Sequence, residues 1–393
     1  MTKPNTDWLG VKPKIPPLPA SKVVNHAPNQ SKKGPYIAIL TSEGRYPFRG
    51  NHKNFADIIR TGRQMGITVY VLTPRGITPN RQTVRGYLLD TTTKKWNPSI
   101  LPVPNVVYNR IPDRQAEQQP EEQKALRLLK NSPGIHLFNP SFFNKWDLFR
   151  NLQQVEQLRP YLPISTRWGN RNTFFKMLRR YPLLFLKPIK GKAGQNMIRI
   201  SWSSRNSYEV IYQSVQGKQR FHLSYDQLFQ KLKDLTGSQP YLLQQGISLA
   251  TFRGRPFDLR VLLQKGATGK WTVTGIGTRL AGKDAISTHV PMGGSIGKTS
   301  HILRSVFGSR HQKIRNQVEA LTLQFAKQIE RTQNTNLGEM SMDIGIEPDG
   351  KMWFFEANSK PMKFDEPEIR SRSLQRLLQY CLFLSGYRST REA

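Results

Sequence analysis

Asp343, Glu356 and Asn358 are the residues whose types and spacing speak most directly of chemistry. They stand in the run Asp343-Ile-Gly-Ile-Glu-Pro-Asp-Gly-Lys-Met-Trp-Phe-Phe-Glu356-Ala-Asn358-Ser-Lys-Pro361. Two carboxylates and an amide are hard oxygen ligands, suited to Mg²⁺ held together with phosphates. Nucleotide oxygens and water would fill the remaining metal positions. An apolar run, a Pro348-Asp349-Gly350 turn and a second apolar run predict a β-hairpin. Its register is open. With Pro348 and Asp349 as the central turn residues, Asp343 lies opposite Phe354 and shares a face with Glu356 and Asn358. With Gly350 in a bulge the pairing slips by one, and a shared face then needs a compensating irregularity. A hairpin that merely ends in acidic residues would read the same way, so other segments must supply the phosphates.

Four segments are placed to do so. Lys187 ends the apolar run Leu183-Leu-Phe-Leu186 and precedes Pro-Ile-Lys-Gly191-Lys-Ala-Gly194-Gln. Backbone N–H groups of such a loop can cover phosphates while Lys187 adds charge. The Gly-Lys-[Ser/Thr] ending of a Walker loop is absent. Tyr241-Leu-Leu-Gln244-Gln245-Gly246-Ile247 is a strand running into glycine, suited to offering backbone groups to an adenine edge. Phe257-Asp258-Leu-Arg260-Val, Thr278-Arg279-Leu and Thr288-His289-Val-Pro-Met-Gly293-Gly294 supply two strand arginines and a Gly-Gly loop. The guanidinium fork matches phosphate and carboxylate oxygens. Lys145 opens a predicted helix within reach of the same region. Each segment alone also fits a plain structural role: a basic turn, a buried strand, salt bridges around Asp258, a solvated lysine. Val107-Tyr-Asn-Arg110, with Arg114 beyond, sits at a strand end and reads equally as a substrate contact or a solvated loop.

The elements that must carry these residues alternate at first. Strands are expected at Tyr36–Leu40, Thr68–Leu72, Val106–Tyr108 and His136–Phe138, with helices around Phe55–Arg60 and Glu117–Lys130, a pattern of a small, mostly parallel sheet. From Phe143 the pattern changes. Helices are expected at Lys145–Leu152, from a cap at Asn172-Thr173 to Arg180, at Gln312–Ile329 and at Ser373–Leu384. Strands are expected at Leu183–Pro188, Met197–Ile200, Tyr241–Gln245, Asp258–Leu262 and Trp271–Gly275, with a short extended piece at Leu162–Thr166. The reading divides the chain into a disordered basic Pro-rich tail (1–34), an N-terminal domain (35–140), a larger domain (141–387) and a C-terminal tail (388–393).

Composition bounds the class. At 393 residues, 37% of them hydrophobic, the chain can bury two or three cores. Its single cysteine, Cys381, excludes an internal disulfide framework and a cysteine-based zinc site, and fits a reducing compartment such as the cytoplasm. No apolar run is long enough for a transmembrane helix. Sixty Lys and Arg against 26 Asp and Glu give a net charge of +34, which predicts attraction to polyanions or an acidic substrate. No zinc-finger spacing or RNP-like aromatic motif accompanies that charge, so specific nucleic-acid recognition is not expected.

In order, the motifs resemble the ATP-grasp superfamily, and within it the YheC/YheD-type endospore coat-associated family. The wording Gln-Gln-Gly-Ile-x-Leu, Phe-Asp-Leu-Arg-Val and Trp-x-Phe-x-Glu-x-Asn-x-Lys-Pro carries the likeness. The resemblance implies an α/β and α+β fold, a Rossmann-like N-terminal domain followed by a two-lobed ATP-grasp domain. It puts Lys145, Lys187 and the Gly191 and Gly194 loop on ATP phosphates, and Gln244, Gln245, Gly246 and Ile247 at the adenine hinge. It puts one or two Mg²⁺ on Asp343, Glu356 and Asn358, and assigns Arg260 and Arg279 to the migrating phosphoryl group and the substrate carboxylate. Arg110, His289, Gly293 and Gly294 would adjoin the substrate. The implied chemistry activates a small-molecule or peptide carboxylate as an acyl phosphate, which an amine then attacks. Spore association, including contacts of the basic surface with the coat, comes with the family. The chain departs from relatives at His289, where Asn is usual, and at Gln245, where an acidic residue is common. An ATP-binding spore scaffold without turnover and a polyanion-binding module are the competing expectations.

Overall fold

The computed structural model describes residues 34–45, 47–78, 82–189, 194–204, 207–214, 216–283, 285–288 and 293–387. The basic tail up to residue 33, Gly191, His289 and the C-terminal tail lie outside the described residues.

The first part comprises β1 (Tyr36–Leu40), α1 (His52–Gln64), β2 (Thr68–Leu72), β3 (Thr83–Leu89), β4 (Trp96–Pro102), β5 (Val106–Asn109), α2 (Arg114–Glu117), α3 (Pro120–Asn131) and β6 (His136–Phe138). The strands form one sheet in the order β4-β3-β2-β1-β5-β6. β2, β1, β5 and β6 run parallel, and their Val- and Ile-rich runs are buried, as expected for strands covered on both faces. β3 and β4 extend the sheet antiparallel and were not expected. β4 is an edge strand, the position where its Pro98 and Pro102 are tolerated, and those prolines hide it from a strand search.

After α4 (Lys145–Gln153) come β7 (Ser165–Arg167), α5 (Arg171–Arg180), β8 (Leu183–Pro188), β9 (Met197–Ser204), β10 (Ser207–Ser214), β11 (Gly217–Ser224), α6 (Tyr225–Thr236) and β12 (Tyr241–Gln245). They build an antiparallel sheet in the order β11-β10-β9-β8-β12-β7. Phe174 and Phe175 of α5 and Leu228 and Leu232 of α6 bury one of its faces. The cap of α5 is Asn170, whose side chain accepts from the Thr173 N–H at 2.9 Å, and not Asn172-Thr173. Asn170, two residues earlier, leaves Arg171 and Asn172 inside the first turn.

The third sheet uses β13 (Thr251–Phe252), β14 (Arg255–Lys265), β15 (Trp271–Leu280), β16 (Ser295–Gly297), β17 (Glu339–Ile346) and β18 (Met352–Asn358), in the order β16-β15-β14-β17-β18 with β13 paired to β14. Between its strands lie α7 (Thr299–Phe307) and α8 (His311–Gln333). Ile314, Val318, Leu321, Phe325 and Ile329 recur at helical spacing on α8 and join Met340, Met342 and Ile344 of β17 in one core. The last helix, α9 (Pro367–Ser385), returns to the first sheet: Leu377, Leu378, Tyr380 and Cys381 are buried with Ile37, Phe55 and Phe138.

Asn139, just past β6, ties the first sheet to the third. Its backbone is left-handed, at φ 52°, where Asn is one of the few residues accommodated without strain. Its Nδ2 donates to the carbonyls of Glu339 (2.8 Å) and Ser359, and its Oδ1 accepts from the Gly338 N–H at 2.8 Å. Asn139→Ala is expected to cost about 2–3 kcal/mol of stability, because buried backbone groups lose their partners. Thermal or urea unfolding measures it, and a loss within 0.5 kcal/mol, about what an exposed substitution costs, contradicts it.

Candidate active site

The β17–β18 hairpin adopts the slipped register. Gly350, at φ 98°, closes the turn, donating its N–H to the Glu347 carbonyl at 2.9 Å, and Ile346 pairs with Met352. The compensating irregularity is Phe355, an extra residue between Phe354, opposite Ile344, and Glu356, opposite Asp343. This bulge restores Asp343 and Glu356 to one face. Asn358 follows two residues on and donates from Nδ2 to Glu356 Oε1 at 3.1 Å.

β14 and β15 bring the arginines to the same place. Arg260 pairs across the ladder with Asp343, and Asp258 with Arg279. Arg279 donates from Nε and Nη2 to Asp258 (2.9 and 2.6 Å) and lies 2.8 Å from Asp343 Oδ2. All three side chains are at most 8% exposed. Burial works against the Arg279 charge, but the carboxylates of Asp343 and Asp258 outweigh it and hold its pKa above the ordinary value. Burial likewise raises the pKa of Asp343, against the opposing pull of Arg279. Asp343 Oδ1 is buried without a hydrogen-bond partner, as is Arg260 Nε.

Two lysines complete the polar cluster. Lys145, the first residue of α4 after the Asn144 cap, donates to Glu356 at 2.7 Å. Lys187, at the end of β8, donates to Gln244 Oε1 of β12 at 2.5 Å, and Gln244 in turn donates to Ser165 of β7 at 2.9 Å. Burial lowers the Lys187 pKa to about 8, Glu356 partly offsetting it.

These groups face a cavity of about 380 Å³ between the second and third sheets. Lys145, Lys187, Gly194, Gln244, Gln245, Ile247, Arg279, Asp343 and Glu356 all line it. Gly246 lies between Gln245 and Ile247, its N–H donated to the Leu183 carbonyl at 2.7 Å. Arg260 and Asn358 flank the lining through Asp343 and Glu356. Arg110 sits apart, 3.4 Å from Glu339 and donating to the Pro361 carbonyl at 3.0 Å. Gly293 belongs to a neighbouring cleft, and Gly294 immediately precedes β16. Sequence reasoning missed the apolar wall of Phe185, Met197 and Ile286, which gathers from separate segments with no common motif. It also gave no role to Thr288, whose hydroxyl donates to Asp258 at 2.6 Å.

Among the described residues no three His, Cys, Asp or Glu side chains gather at one point. A cation here would therefore rest on two carboxylates and the Asn358 amide. Two observations fit one: the unpartnered Asp343 Oδ1, and the lysine ammonium already placed against Glu356.

Residues 134–384 match the model of the YheC/D-like ATP-grasp family. The chain belongs to that family. Among its relatives, the endospore coat-associated protein YheD of Bacillus subtilis (strain 168) is 28% identical over 90% of this chain and 79% of its own. The endospore coat-associated protein YheC of the same organism is 21% identical over 85% of this chain and 93% of its own. D-alanyl-alanine synthetase A of Vibrio cholerae aligns with a TM-score of 0.52 at 12% identity, over 90% of this chain and 98% of that one. The D-alanine-D-alanine ligase of Coxiella burnetii aligns with a TM-score of 0.50 at 14% identity, over 90% and 96%. At such identities these ligases share the ATP-grasp fold with the YheC/D-like chain, which is the mixed α/β architecture its motifs implied.

Proposed function

We propose that the protein binds ATP with Mg²⁺ and joins a carboxylate to an amine through an acyl phosphate. The observation that carries this reading is the buried arrangement Asp258–Arg279–Asp343 at the floor of a cavity entered by Lys145 and Lys187. So costly a cluster of charges, gathered where a ligand fits, favours phosphoryl chemistry over a packing role. Asp343, Glu356 and Asn358 would hold Mg²⁺, which supplies charge neutralisation on the phosphates. Lys145 and Lys187 would bind phosphate oxygens. At the hinge the N–H groups of Gln245 and Gly246 are already donated to Ile164 and Leu183, which leaves the Ile247 N–H as the donor for an adenine edge.

The reaction balances without further co-reactants. A carboxylate oxygen bonds to the γ-phosphorus as the bond to the β,γ-bridging oxygen breaks and ADP leaves. The amine then adds to the acyl carbon, the carbon–oxygen bond breaks, and phosphate departs with the amine proton. Arg260 and Arg279 would neutralise charge on the transferring group, the main contribution a protein makes to such transfers.

ATP affinity measured by calorimetry is expected to require Mg²⁺ in the unmodified protein. Glu356→Ala and Asn358→Ala should each weaken that metal-dependent affinity by about tenfold or more. Unchanged affinity in both variants removes the metal assignment. ADP release on adding candidate carboxylates and amines tests turnover. The names of YheD and YheC support a place for this chain at the spore coat as well, tested by whether it partitions with coat extracts of spores. No helix among the described residues is long and apolar enough to cross a membrane.

A further inference from the structure

Beside the ATP cavity opens a second cleft of about 660 Å³, which shares Arg199, Pro256 and Ala285 with it. Among the described residues, Arg199, Arg220, Arg255 and Lys283 line this cleft against one carboxylate, Glu209. Its guanidinium groups are held in place. Arg199 and Arg220 each pair with a different oxygen of Glu209, Arg220 at 2.9 Å. Arg255 donates from Nε to the Ala281 carbonyl at 2.6 Å and from Nη2 to Ser295 Oγ at 2.9 Å. Among the described residues a single carboxylate faces four cations and cannot balance them, and the Nε of Arg199 is buried without a partner. Fixed guanidiniums with surplus charge favour carboxylate or phosphate groups spaced along a chain.

The remaining lining separates the two chemistries. It consists of Ile211, Pro256, Ala285 and the glycines 254, 282 and 293, with no aromatic ring among the described residues. Single-stranded nucleic acids are held by stacking bases on aromatic side chains as well as by charge. A floor of glycine instead allows close approach of a peptide backbone.

We propose that this cleft binds an acidic peptide segment of the ligase substrate. Side-chain carboxylates of the peptide would seat on Arg220, Arg255 and Lys283, and the chain would pass Arg199 into the ATP cavity. The assignment rests on the ligase reading for its role in turnover, and the test keeps the two apart. Binding of a fluorescein-labelled oligoglutamate peptide is measured by anisotropy near physiological salt, with a fluorescent ATP analogue and Mg²⁺ titrated into the same preparations. Arg220, 56% exposed, and the exposed Lys283 can be changed without opening a core. The double variant Arg220→Gln/Lys283→Gln is expected to weaken peptide binding by about tenfold and leave the analogue's affinity unchanged. A control of equal charge loss, Arg179→Gln/Arg180→Gln on α5, should leave peptide binding intact. Equal weakening by both double variants, or no peptide binding by protein that binds the analogue, overturns the proposal. So does an oligothymidylate of matched charge that binds more tightly and depends on Arg220 and Lys283. Failure of the unmodified protein to bind the analogue, with peptide binding retained and sensitive to Arg220 and Lys283, upholds the peptide site and overturns the ligase reading.

Discussion

Arg279→Met is expected to lower the unfolding free energy by about 3–5 kcal/mol, the usual cost of leaving buried charge without its partner. The methionine stem fills similar space, so the loss reports electrostatics more than a cavity. Asp258 and Asp343 would then face each other with no cation between them, 5% and 4% exposed respectively. The deficit should depend on pH with a defined sign. Burial already holds the Asp343 carboxyl above its ordinary value while Arg279 pulls it down. A carboxyl with a raised folded pKa contributes stability that is present below its unfolded value, about 4, and is lost as pH rises through the folded value. Without Arg279 the folded value rises further, so the loss extends toward neutrality. Urea midpoints should therefore show a smaller deficit at pH 5 than at pH 7.5, and Asp343→Asn should recover part of it in the Arg279→Met background. A deficit below 1 kcal/mol, or one equal at both pH values, contradicts this account of the cluster.

Lys187→Met should act in the opposite direction on stability while disabling the site. Burial depresses the Lys187 pKa to about 8, so the folded protein holds this proton less readily than the unfolded chain, where a lysine titrates near 10.5. Stability from a depressed group is complete above the unfolded pKa and lost as pH falls through the folded one. At pH 7 the charged lysine is thus a burden of up to about 3 kcal/mol, and the methionine variant should be more stable than the unmodified protein by about 1–3 kcal/mol. The advantage should shrink between pH 8 and pH 10. The difference between the two proteins is the quantity to follow, since burial raises Tyr108, Tyr380 and Cys381 and gives them the contrary slope above about pH 9. Nucleotide affinity in the variant should fall by about a hundredfold, roughly 3 kcal/mol. A variant less stable than the parent at pH 7 would mean that Lys187 serves packing or pairing within the fold.

The types of residue gathered at the candidate site were legible because chemistry restricts them: hard oxygen donors after a turn, lysine before a glycine loop, arginine on strands. Their order along the chain was enough for the family resemblance, which the match over residues 134–384 bears out. The geometry was less legible. Pro348-Asp349-Gly350 accepts either register, and the slipped one is reconciled with a shared face only by a bulge at Phe355, one of two adjacent phenylalanines that sequence alone does not distinguish. The Asp258–Arg279 pair depends on how β14 and β15 align, through an irregularity at Leu262/Leu263, and no local signal announces it. β11 was invisible for another reason. Most of its residues are exposed, so it lacks the alternation that marks a half-buried strand. The α5 cap shows the limit on a smaller scale, since Asn170, Asn172 and Thr173 are all competent and only the backbone path selects Asn170.

The burial of α9 against the first sheet bears on how the chain comes to be folded at all. Ile37 and Phe55 share a core with Leu377, Leu378 and Cys381, so the first of the described strands to leave a ribosome lacks part of its covering until nearly all the described residues have emerged. During that interval the apolar face of β1 and α1 stays partly open to water and to other chains, a state prone to aggregation. The second sheet, closed by α5 and α6 from within residues 165–245, has no such delay. Synthesis therefore runs in one order and completion in another: the middle of the chain can settle first, and the beginning is sealed only when α9 arrives.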